Sequence, residues 1–560
     1  MQQLILQYLW EGITVILLKE IYEYLIGQGF SCELKDNEIE LILQVDNYNI
    51  PLILRLPNHF PYEFIEIYMY DCFGFTIPHR YTNNMLCIYD RNEVIPNPEM
   101  YLQETVIAIN RAKKLINDSI KGNNSEDINK ECVAIWNTKQ KFNIKLILEN
   151  SHESQILLGL QLLENAYIVS DNYKYIETLI TYTYGEKHID FKNIKCFFCK
   201  IEDYKMYKIP KKLKDVIKII FSNKSNKELF LKYMAQNYHN AIIILSFNNG
   251  ISNCLVSFKM KKLESRYRII QKKMYAVLYN NQNKRIIHGS VTDLSTSYIS
   301  KRGGDGLSIF NSKCIILGCG SVGSFTIKAL VESGISKNLS IVDNEFLSYA
   351  NIGRHICDLT DVFEKKVNAI KKKMTLSYPG IECNAINMNV YDYLDNYLDF
   401  INTNDFLFVV VGNENIEKKI IKMMDENLIQ ITVIIIWIEP YLVSGNAIIL
   451  QNKINNKTLN NLFDDNGKFK VSTLDNNVNY LKSEAGCQSA YAPYSGFDVQ
   501  RFILNFVNTF KTKFYNNSNE GNYLYTWLGN MRWARQNNIK IKPEWRSKDD
   551  GFTNLKRIDI

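Results

Sequence analysis

The stretch Ile315-Ile-Leu-Gly-Cys-Gly-Ser-Val-Gly-Ser324 decides the fold of the C-terminal part of this 560-residue chain. An apolar run, a group of glycines and a helix-forming segment follow one another, which predicts a strand, a tight turn and a helix. Gly318 would allow the turn, Gly320 would let a phosphate approach the backbone, and Gly323 would let the helix pack closely on the strand. The N–H groups at the helix start would then face an anion. The glycine motif alone does not choose between NAD, FAD and ATP.

The residues after the glycine turn narrow the choice. Leu339-Ser-Ile-Val-Asp343 predicts a second strand that ends in an acid, where a ribose hydroxyl contact is expected. Asn351, Arg354 and Lys366 follow, and a dehydrogenase rarely has Asn and Arg at such positions. The pattern Asp, Asn-x-x-Arg, Lys resembles the E1/ThiF/MoeB superfamily, whose members adenylate the C-terminus of ubiquitin-like proteins. The resemblance implies that these residues and the glycine turn bind ATP.

Three further residues gain a role from this resemblance. The segment 406–415 predicts a buried parallel strand with a polar end, where the family has a magnesium-handling Asp and this chain has Glu414. A solvated acid is the alternative for Glu414. The segment 483–498 resembles the catalytic-cysteine segment of E1 enzymes, which makes Cys487 a candidate nucleophile. Arg302 is a candidate to reach the nucleotide site of a partner subunit, with a loop cation as the alternative.

The first 125 residues predict an N-terminal domain. A helix, a set of antiparallel strands, an irregular segment and a second helix are expected at residues 1–30, 38–45, 51–57, 64–70, 73–98 and 101–116. This order of elements resembles the α+β fold of ubiquitin-conjugating (E2) domains.

The irregular segment of this domain carries a second candidate nucleophile. The stretch Ile77-Pro-His-Arg-Tyr-Thr-Asn-Asn-Met-Leu-Cys87 resembles the active-site segment of E2 enzymes, which implies that Cys87 accepts an acyl group. His79 stands where the eukaryotic family has an Asn, so the resemblance is to bacterial E2-like proteins. His79 would stabilise an oxyanion or only pack. A buried apolar role is the alternative for Cys87.

Residues 126–300 predict a middle domain of mixed α/β structure that acts as a spacer and docking platform. Apolar runs at 241–247 and 254–258 predict strands, and the run at 155–163 predicts a helix. Cys196 and Cys199 form a lone C-x-x-C pair. A zinc site needs four ligands, so a structural role is favoured over a metal or redox role.

Composition excludes several classes of protein. Hydrophobic residues make up 46% and charged residues 22% of the chain, as in ordinary globular proteins. The net charge of +7 comes from scattered lysines, so no nucleic-acid-binding face is expected. No segment has the length of a membrane span, and the N-terminus does not read as a signal peptide. Twelve cysteines are too few for a disulfide scaffold of this length. We expect a cytoplasmic protein with free thiols.

The chain is thus predicted to be an α/β multidomain protein. An E2-like domain at 1–125, the middle domain at 126–300 and a Rossmann-like E1/ThiF adenylation domain at 301–560 together resemble the bacterial E2–E1 fusion proteins of CBASS anti-phage operons. The resemblance implies ATP and Mg²⁺ as cofactors and a homodimer formed through residues 301–560. It also implies an acyl relay from Cys487 to Cys87 and on to a target lysine. The acyl donor would be the C-terminal tail of a cGAS-like nucleotidyltransferase.

Three alternatives stay open at this point. A true bacterial ubiquitin-like protein would use the same residues. A ThiF/MoeB-type adenylyltransferase for sulfur carriers would not need the first domain and would leave Cys87 inert. A nucleotide-binding scaffold with an inactive centre is supported only by the departure at Asn413-Glu414.

Overall fold

The computed structural model describes a mixed α/β multidomain chain that divides into two compact units. The first unit contains Met1–Lys145, His152–Val169 and Phe191–Thr292; the second contains Leu146–Ser151, Ser170–Asp190 and Asp293–Ile560. The described residues are 2–81, 83–89, 94–150, 152–185, 191–202, 204–206, 208–248, 253–264, 271–303, 312–451, 461–475, 478, 480, 482–483, 490–515 and 521–558. Within these ranges no helix combines the length and the apolar composition that a membrane crossing needs.

The first unit begins with an antiparallel sheet flanked by two helices. Its elements are α1 (Gln2–Gly27), β1 (Ser31–Lys35), β2 (Glu38–Val45), β3 (Tyr48–Arg55), β4 (Glu66–Tyr68) and α2 (Tyr101–Lys121). The strands pair in chain order. Alternate residues of β2 are buried and pack with Leu18, Ile21 and Leu25, which share one face of α1. The predicted order of helix, strands, irregular segment and helix is confirmed. The strand β1 was not predicted, because its residues are at most half-buried.

A closed barrel follows, with its strands in the spatial order β10-β11-β5-β7-β6-β8-β9. The elements of this part of the chain are α3 (Ser125–Lys130), α4 (Cys132–Asn137), β5 (Asn143–Ile147), β6 (Gln155–Leu163), β7 (Ala166–Ser170), α5 (Tyr173–Tyr184), β8 (Lys192–Ile201), α6 (Leu213–Ile220), α7 (Lys224–Asn237), β9 (Ile242–Asn248), β10 (Asn253–Met260), α8 (Gln271–Asn280) and β11 (Ile286–Asp293).

The helix predicted at residues 155–163 is wrong, because this run forms the strand β6, which pairs antiparallel with β8. Short apolar runs fit a buried helix and a buried strand equally well, so the pattern alone could not decide. Gly159 lies where the neighbouring chain comes closest to this strand. A Cβ atom at this position would lie 2.2 Å from the carbonyl oxygen of Ile168, so the glycine permits the close approach of the neighbouring chain.

The C-x-x-C pair lies on strand β8 of this barrel. Cys196 and Cys199 are fully buried in β8, and burial raises the pKa of the Cys199 thiol to about 12. Among the described residues no group of three or more His, Cys, Asp or Glu side chains could hold a metal ion. These observations favour the structural role.

The second unit is built on a sheet in the order β14-β13-β12-β15-β16-β17-β20-β21. Its remaining elements are α9 (Thr296–Gly303), β12 (Lys313–Leu317), α10 (Ser321–Glu332), β13 (Asn338–Val342), α11 (Lys366–Ser377), β14 (Glu382–Ile386), α12 (Val390–Asn396), α13 (Leu398–Ile401), β15 (Phe406–Val409), α14 (Glu414–Asp425), β16 (Thr432–Ile438), β17 (Ser444–Leu450), β18 (Lys482–Ser483), β19 (Ala490–Tyr491), α15 (Gly496–Phe510), β20 (Asn522–Leu528), α16 (Met531–Gln536) and β21 (Thr553–Ile558).

The strand direction in this sheet changes from parallel to antiparallel across its width. The strands from β14 to β16 are parallel, and those from β16 to β21 are antiparallel. Strand order reverses at β12, since β13 lies on one side and β15 on the other. Ligands of open α/β sheets bind beyond the carboxyl ends of the strands at such a switch point. The predicted strand, turn and helix at residues 315–332 are confirmed, and the turn lies at this point.

Candidate active site

The glycine turn between β12 and α10 combines two crowded positions with one open position. Gly318 has φ +98°, and a Cβ there would lie 2.8 Å from the carbonyl oxygen of Val410. At Gly323 a Cβ would lie 2.1 Å from the carbonyl oxygen of Gly318. Nothing lies within 4 Å of a Cβ built at Gly320, the residue that precedes α10. The turn therefore leaves room at Gly320, next to the N–H groups that begin the helix.

Asp343 is fixed against this turn. One carboxylate oxygen, Oδ2, accepts a hydrogen bond of 2.7 Å from the N–H of Cys319, and Oδ1 accepts one of 2.7 Å from the N–H of Glu345. A carboxylate has about four acceptor positions, so each oxygen keeps capacity for a further donor such as a ribose hydroxyl. The structure thus brings Asp343 and the glycine turn together.

Lys366 places a buried cation next to Glu345, two residues after Asp343. It is the first residue of α11, and its side chain is only 7% exposed. Its ammonium pairs with the carboxylate of Glu345, whose side chain is 68% exposed. The backbone N–H of Lys366 also donates to the carbonyl oxygen of Glu345 over 3.0 Å. The buried cation therefore has a counter-ion that faces solvent.

His355, which the sequence did not single out, ties the Arg354 segment to the turn. Its Nε2 lies 2.9 Å from the carbonyl oxygen of Cys319, and its Nδ1 accepts a hydrogen bond from the N–H of Cys357. Nε2 must therefore carry the proton and donate it. Burial lowers the pKa of His355 and keeps the ring neutral. The only sequence signal was its position directly after Arg354.

The segment before His355 forms a short 3₁₀ helix, Tyr349–Arg354. Asn351 lies in this helix, and its Oδ1 accepts hydrogen bonds of 2.9 Å from the N–H and the hydroxyl of Ser348. The side-chain oxygen of Asn351 is therefore hydrogen-bonded within its own segment. Arg354 is half-buried at the end of the helix.

Arg354 contacts the chain that follows the predicted E1-type cysteine. Its guanidinium lies 4.9 Å from the centre of the Tyr494 ring, a cation–π contact. A Cβ at Gly496 would lie 2.8 Å from the carbonyl oxygen of Gly353, so the start of α15 packs directly on the same turn. Cys487 itself lies outside the described residues.

Glu414 begins α14, beyond the end of β15 and thus beside the glycine turn in the sheet order. Its side chain is exposed, and Asn413 caps the helix by accepting from the N–H groups of Asn415 and Ile416. A single exposed carboxylate fits the way Mg²⁺ is usually held beside substrate phosphates, with water and phosphate oxygens as the other ligands.

Glu417, one turn into α14, is a second acid that the sequence did not single out. Burial and the nearby Glu414 carboxylate raise its pKa to about 8. Of the two acids at this helix start, Glu414 is the one that faces solvent.

Arg302 lies in the last turn of α9, and its side chain is outside the described part of the structure.

The Cys87 segment in the first unit is tied down by backbone and side-chain contacts. Cys87 is half-buried, and its sulfur lies 3.3 Å from the Tyr81 hydroxyl. Its N–H donates to the carbonyl oxygen of His79 over 2.6 Å. The His79 ring pairs with Glu131, and the N–H of His79 donates to the same carboxylate over 2.6 Å. The hydrogen bond to Glu131 raises the pKa of His79, although burial opposes it. His79 thus anchors the segment that precedes Cys87.

Comparison with known proteins shows a family to which the segment around the glycine turn is similar. Residues 296–430 match the ThiF family. This part of the chain, with its glycine turn at the switch point of the sheet, is therefore similar to ThiF-family domains.

Three relatives that match parts of this chain are named for different activities. The chain is 23% identical over 251 residues to the "ATP-dependent ubiquitin transferase-like protein Cap2" of Pseudomonas aeruginosa, covering 44% of this chain and 44% of the relative. It is 35% identical over 78 residues to "tRNA threonylcarbamoyladenosine dehydratase 2" of Saccharomyces cerevisiae, covering 14% and 17%. It is 25% identical over 119 residues to the "Ubiquitin-like modifier-activating enzyme ATG7" of Candida glabrata, covering 19% of each chain. The chain thus spans less than half the length of each of these relatives.

Proposed function

We propose that this protein uses ATP to activate the C-terminal carboxylate of a protein and passes the acyl group through two cysteines to an amine. One observation carries the proposal: a domain similar to the ThiF family in which an open glycine turn, a fixed carboxylate and a buried cation meet. These are the groups that a nucleotide needs for its phosphates and its ribose.

The first step is adenylation. A carboxylate oxygen attacks the α-phosphorus of ATP, the bond to the β-phosphate oxygen breaks, and pyrophosphate leaves. The space at Gly320 and the helix start receive the phosphates, and Asp343 accepts from the ribose. Arg354 and Lys366 stabilise the negative charge that develops as pyrophosphate leaves. Mg²⁺, with Glu414 as its protein ligand, would neutralise phosphate charge.

The second step transfers the acyl group to sulfur. The Cys487 thiolate attacks the acyl carbonyl, and AMP leaves with the electrons of the broken C–O bond. The contact between Arg354 and Tyr494 supports this assignment, because the chain after Cys487 packs on a turn of the nucleotide site.

The later steps use the first unit. The Cys87 thiolate attacks the thioester carbonyl on Cys487 and takes the acyl group, and the Cys487 thiolate leaves. A lysine amine of the target then attacks the thioester on Cys87, which forms an isopeptide bond and releases the Cys87 thiolate. Two observations support an E2-like role: the order of the elements from α1 to α2, and the cysteine held in the irregular segment between them.

The acyl donor in this proposal is the C-terminal tail of a cGAS-like nucleotidyltransferase in anti-phage defence. The names of two relatives, a ubiquitin transferase-like protein and a ubiquitin-like modifier-activating enzyme, support activation of a ubiquitin-type acyl donor. A true bacterial ubiquitin-like protein would be activated by the same residues.

A second candidate function rests on the match to the dehydratase, which has the highest identity of the three relatives over its short segment. A ThiF-type enzyme without an acyl relay would still bind ATP through the same site, but it would need neither Cys87 nor Cys487.

A pyrophosphate exchange assay tests the first step. With the cognate tail, Asp343→Ala and Lys366→Ala should lower ATP–pyrophosphate exchange to background. Asp395→Ala, which removes an exposed acid on α12, should exchange like the parent chain. Full exchange in both site variants would refute the assignment of the nucleotide site.

Non-reducing gels with labelled tails of both donor classes test the relay. Cys487→Ala should form the adenylate but no thioester on either cysteine. Cys87→Ala should keep a thioester at Cys487 and lose conjugation. A thiol-sensitive adduct on Cys87 in the Cys487→Ala protein would show direct transfer from the adenylate to Cys87. Adenylate formation with no thioester in the parent chain would favour the second candidate function.

A further inference from the structure

A groove on the first unit has no part in the proposed chemistry. It lies between α6 and α8, and its volume is about 160 Å³. Apolar side chains form its floor, chiefly Ile217, Phe221 and Leu278. Pockets that hold a nucleotide or a similar small molecule measure about 300–1,000 Å³. The groove has instead the dimensions of a site for one large apolar side chain.

Exposed tyrosines line one wall of the groove. Tyr275 is 51% exposed and Tyr279 is 62% exposed, although both lie next to the apolar floor. Large aromatic side chains at the surface beside a concave apolar site are typical of protein recognition surfaces. Each tyrosine also offers a hydroxyl to a polar backbone.

Lysines form the other wall. Lys214 and Lys218 are exposed along α6, and within the described part of the chain neither pairs with a carboxylate. Lys227 lies 5.2 Å from the centre of the Tyr275 ring and adds a third positive charge. The nearby Asp215 is at the start of α6, where its Oδ2 accepts from the backbone N–H groups of residues 211 and 212. The described residues that line the groove thus include two lysines and no acid.

We propose that this groove binds an acidic peptide segment of a partner protein, with one large apolar or aromatic side chain in the groove and carboxylates on the lysine rim. Charge complementarity selects the acidic residues, and the small apolar floor selects the anchoring side chain. This inference concerns a binding surface in the first unit and does not depend on the adenylation chemistry.

Single-stranded nucleic acid would also meet positive charge here, but the aromatic geometry favours a peptide. Proteins that bind single strands stack bases on open aromatic faces. The Tyr275 ring already stacks with Phe221 at a centroid distance of 6.0 Å, and Lys227 lies against both rings. Tyr275 is therefore poorly placed as a stacking platform.

The test uses fluorescence polarisation with the full-length protein and a labelled peptide of the sequence Gly-Asp-Glu-Phe-Asp-Glu-Gly. We expect saturable binding that weakens at least tenfold in the double variant Lys214→Glu, Lys218→Glu. Binding should weaken to a similar degree when the peptide Phe is replaced by Gly. The matched control is Lys113→Glu, Lys114→Glu, which reverses the same charge at exposed lysines of α2 and should bind within twofold of the parent.

Three outcomes would overturn the proposal. The first is no binding of the acidic peptide at millimolar concentration. The second is equal weakening in the groove variant and the control variant, which would mean a non-specific charge effect. The third is an oligothymidine of equal charge that displaces the peptide completely and loses affinity in Tyr275→Ala, which would assign the groove to nucleic acid. Unchanged thermal unfolding of both double variants verifies that the fold is intact.

Discussion

Gly320 and Gly323 lie close together in one turn, yet the structure gives a side chain at each position a different effect. At Gly323 a methyl group would meet a backbone oxygen that cannot move without breaking the turn. At Gly320 a methyl group would project into open space. Substitutions at the two positions should therefore separate an effect on folding stability from an effect on ATP binding, which a single glycine variant could not do.

We predict that Gly323→Ala destabilises the second unit by about 3 kcal/mol, at the upper end of the usual cost of overpacking. Gly320→Ala should cost about 1 kcal/mol or less, because its φ of −75° suits any residue. The same change should weaken ATP binding at least tenfold by filling the space for the phosphates. Urea unfolding and ATP titration measure the two effects.

The control for this pair is Gly27→Ala, since nothing lies within 4 Å of a Cβ at Gly27 and the residue is remote in sequence from the site. It should leave both measurements unchanged. Equal ATP affinity for Gly320→Ala and the parent chain would contradict the role of the open position.

At the scale of an element, the start of α14 holds two acids with different environments. Glu414 faces solvent, whereas Glu417 is buried with one carboxyl oxygen that has no hydrogen-bond partner among the described residues. The same helix thus presents one exposed and one buried carboxyl group.

Glu417→Gln should be more stable than the parent chain at pH 8, and the difference should shrink towards pH 5. The pKa of Glu417 is raised from 4.5 to about 8 in the folded chain. The unfolded chain therefore releases a proton that the folded chain retains, and stability falls as pH rises through this window. The gain at pH 8 should be on the order of 3 kcal/mol.

Urea unfolding at four pH values between 5 and 8 measures this difference. The control is Glu426→Gln, which makes the same change at an exposed acid that follows the same helix. A constant gain for Glu417→Gln at all pH values would mean that its carboxyl group titrates normally.

Elements of both units show what sequence patterns can and cannot predict. The strand β12, the glycine turn and α10 follow from local order, because the backbone of the turn itself requires glycine at Gly318 and Gly323. The strand β6 could not be distinguished from a helix, since its contacts come from a distant strand. His355 and Glu417 were missed for the same reason: burial and long-range partners, which one sequence does not display, define their roles.

At the scale of the whole molecule, we predict a homodimer formed through residues 301–560, with Arg302 acting on the nucleotide site of the partner subunit. Light scattering at micromolar concentration should give twice the mass of the chain. A monomer with full activity would contradict this prediction.

Mixing two inactive variants tests the exchange of Arg302 between subunits. Arg302→Ala and Lys366→Ala should each be inactive alone, and a mixture should recover pyrophosphate exchange, because one site of each mixed dimer keeps both residues. No recovery, despite proven subunit mixing, would place Arg302 in its own site or outside the reaction.

The ion pair between Lys366 and Glu345 has a consequence for how ATP enters the proposed nucleotide site. The buried ammonium is already neutralised by a solvent-facing carboxylate, so an incoming phosphate must displace an internal competitor. Glu345→Gln should therefore bind ATP several-fold more tightly in a direct titration, and the apparent affinity of the parent chain should be weaker than its phosphate contacts alone would give. Weaker binding would instead make Glu345 a group that orients Lys366. Loading is then an exchange of one anion for another, which lets the chain keep a cation in its interior before any nucleotide arrives.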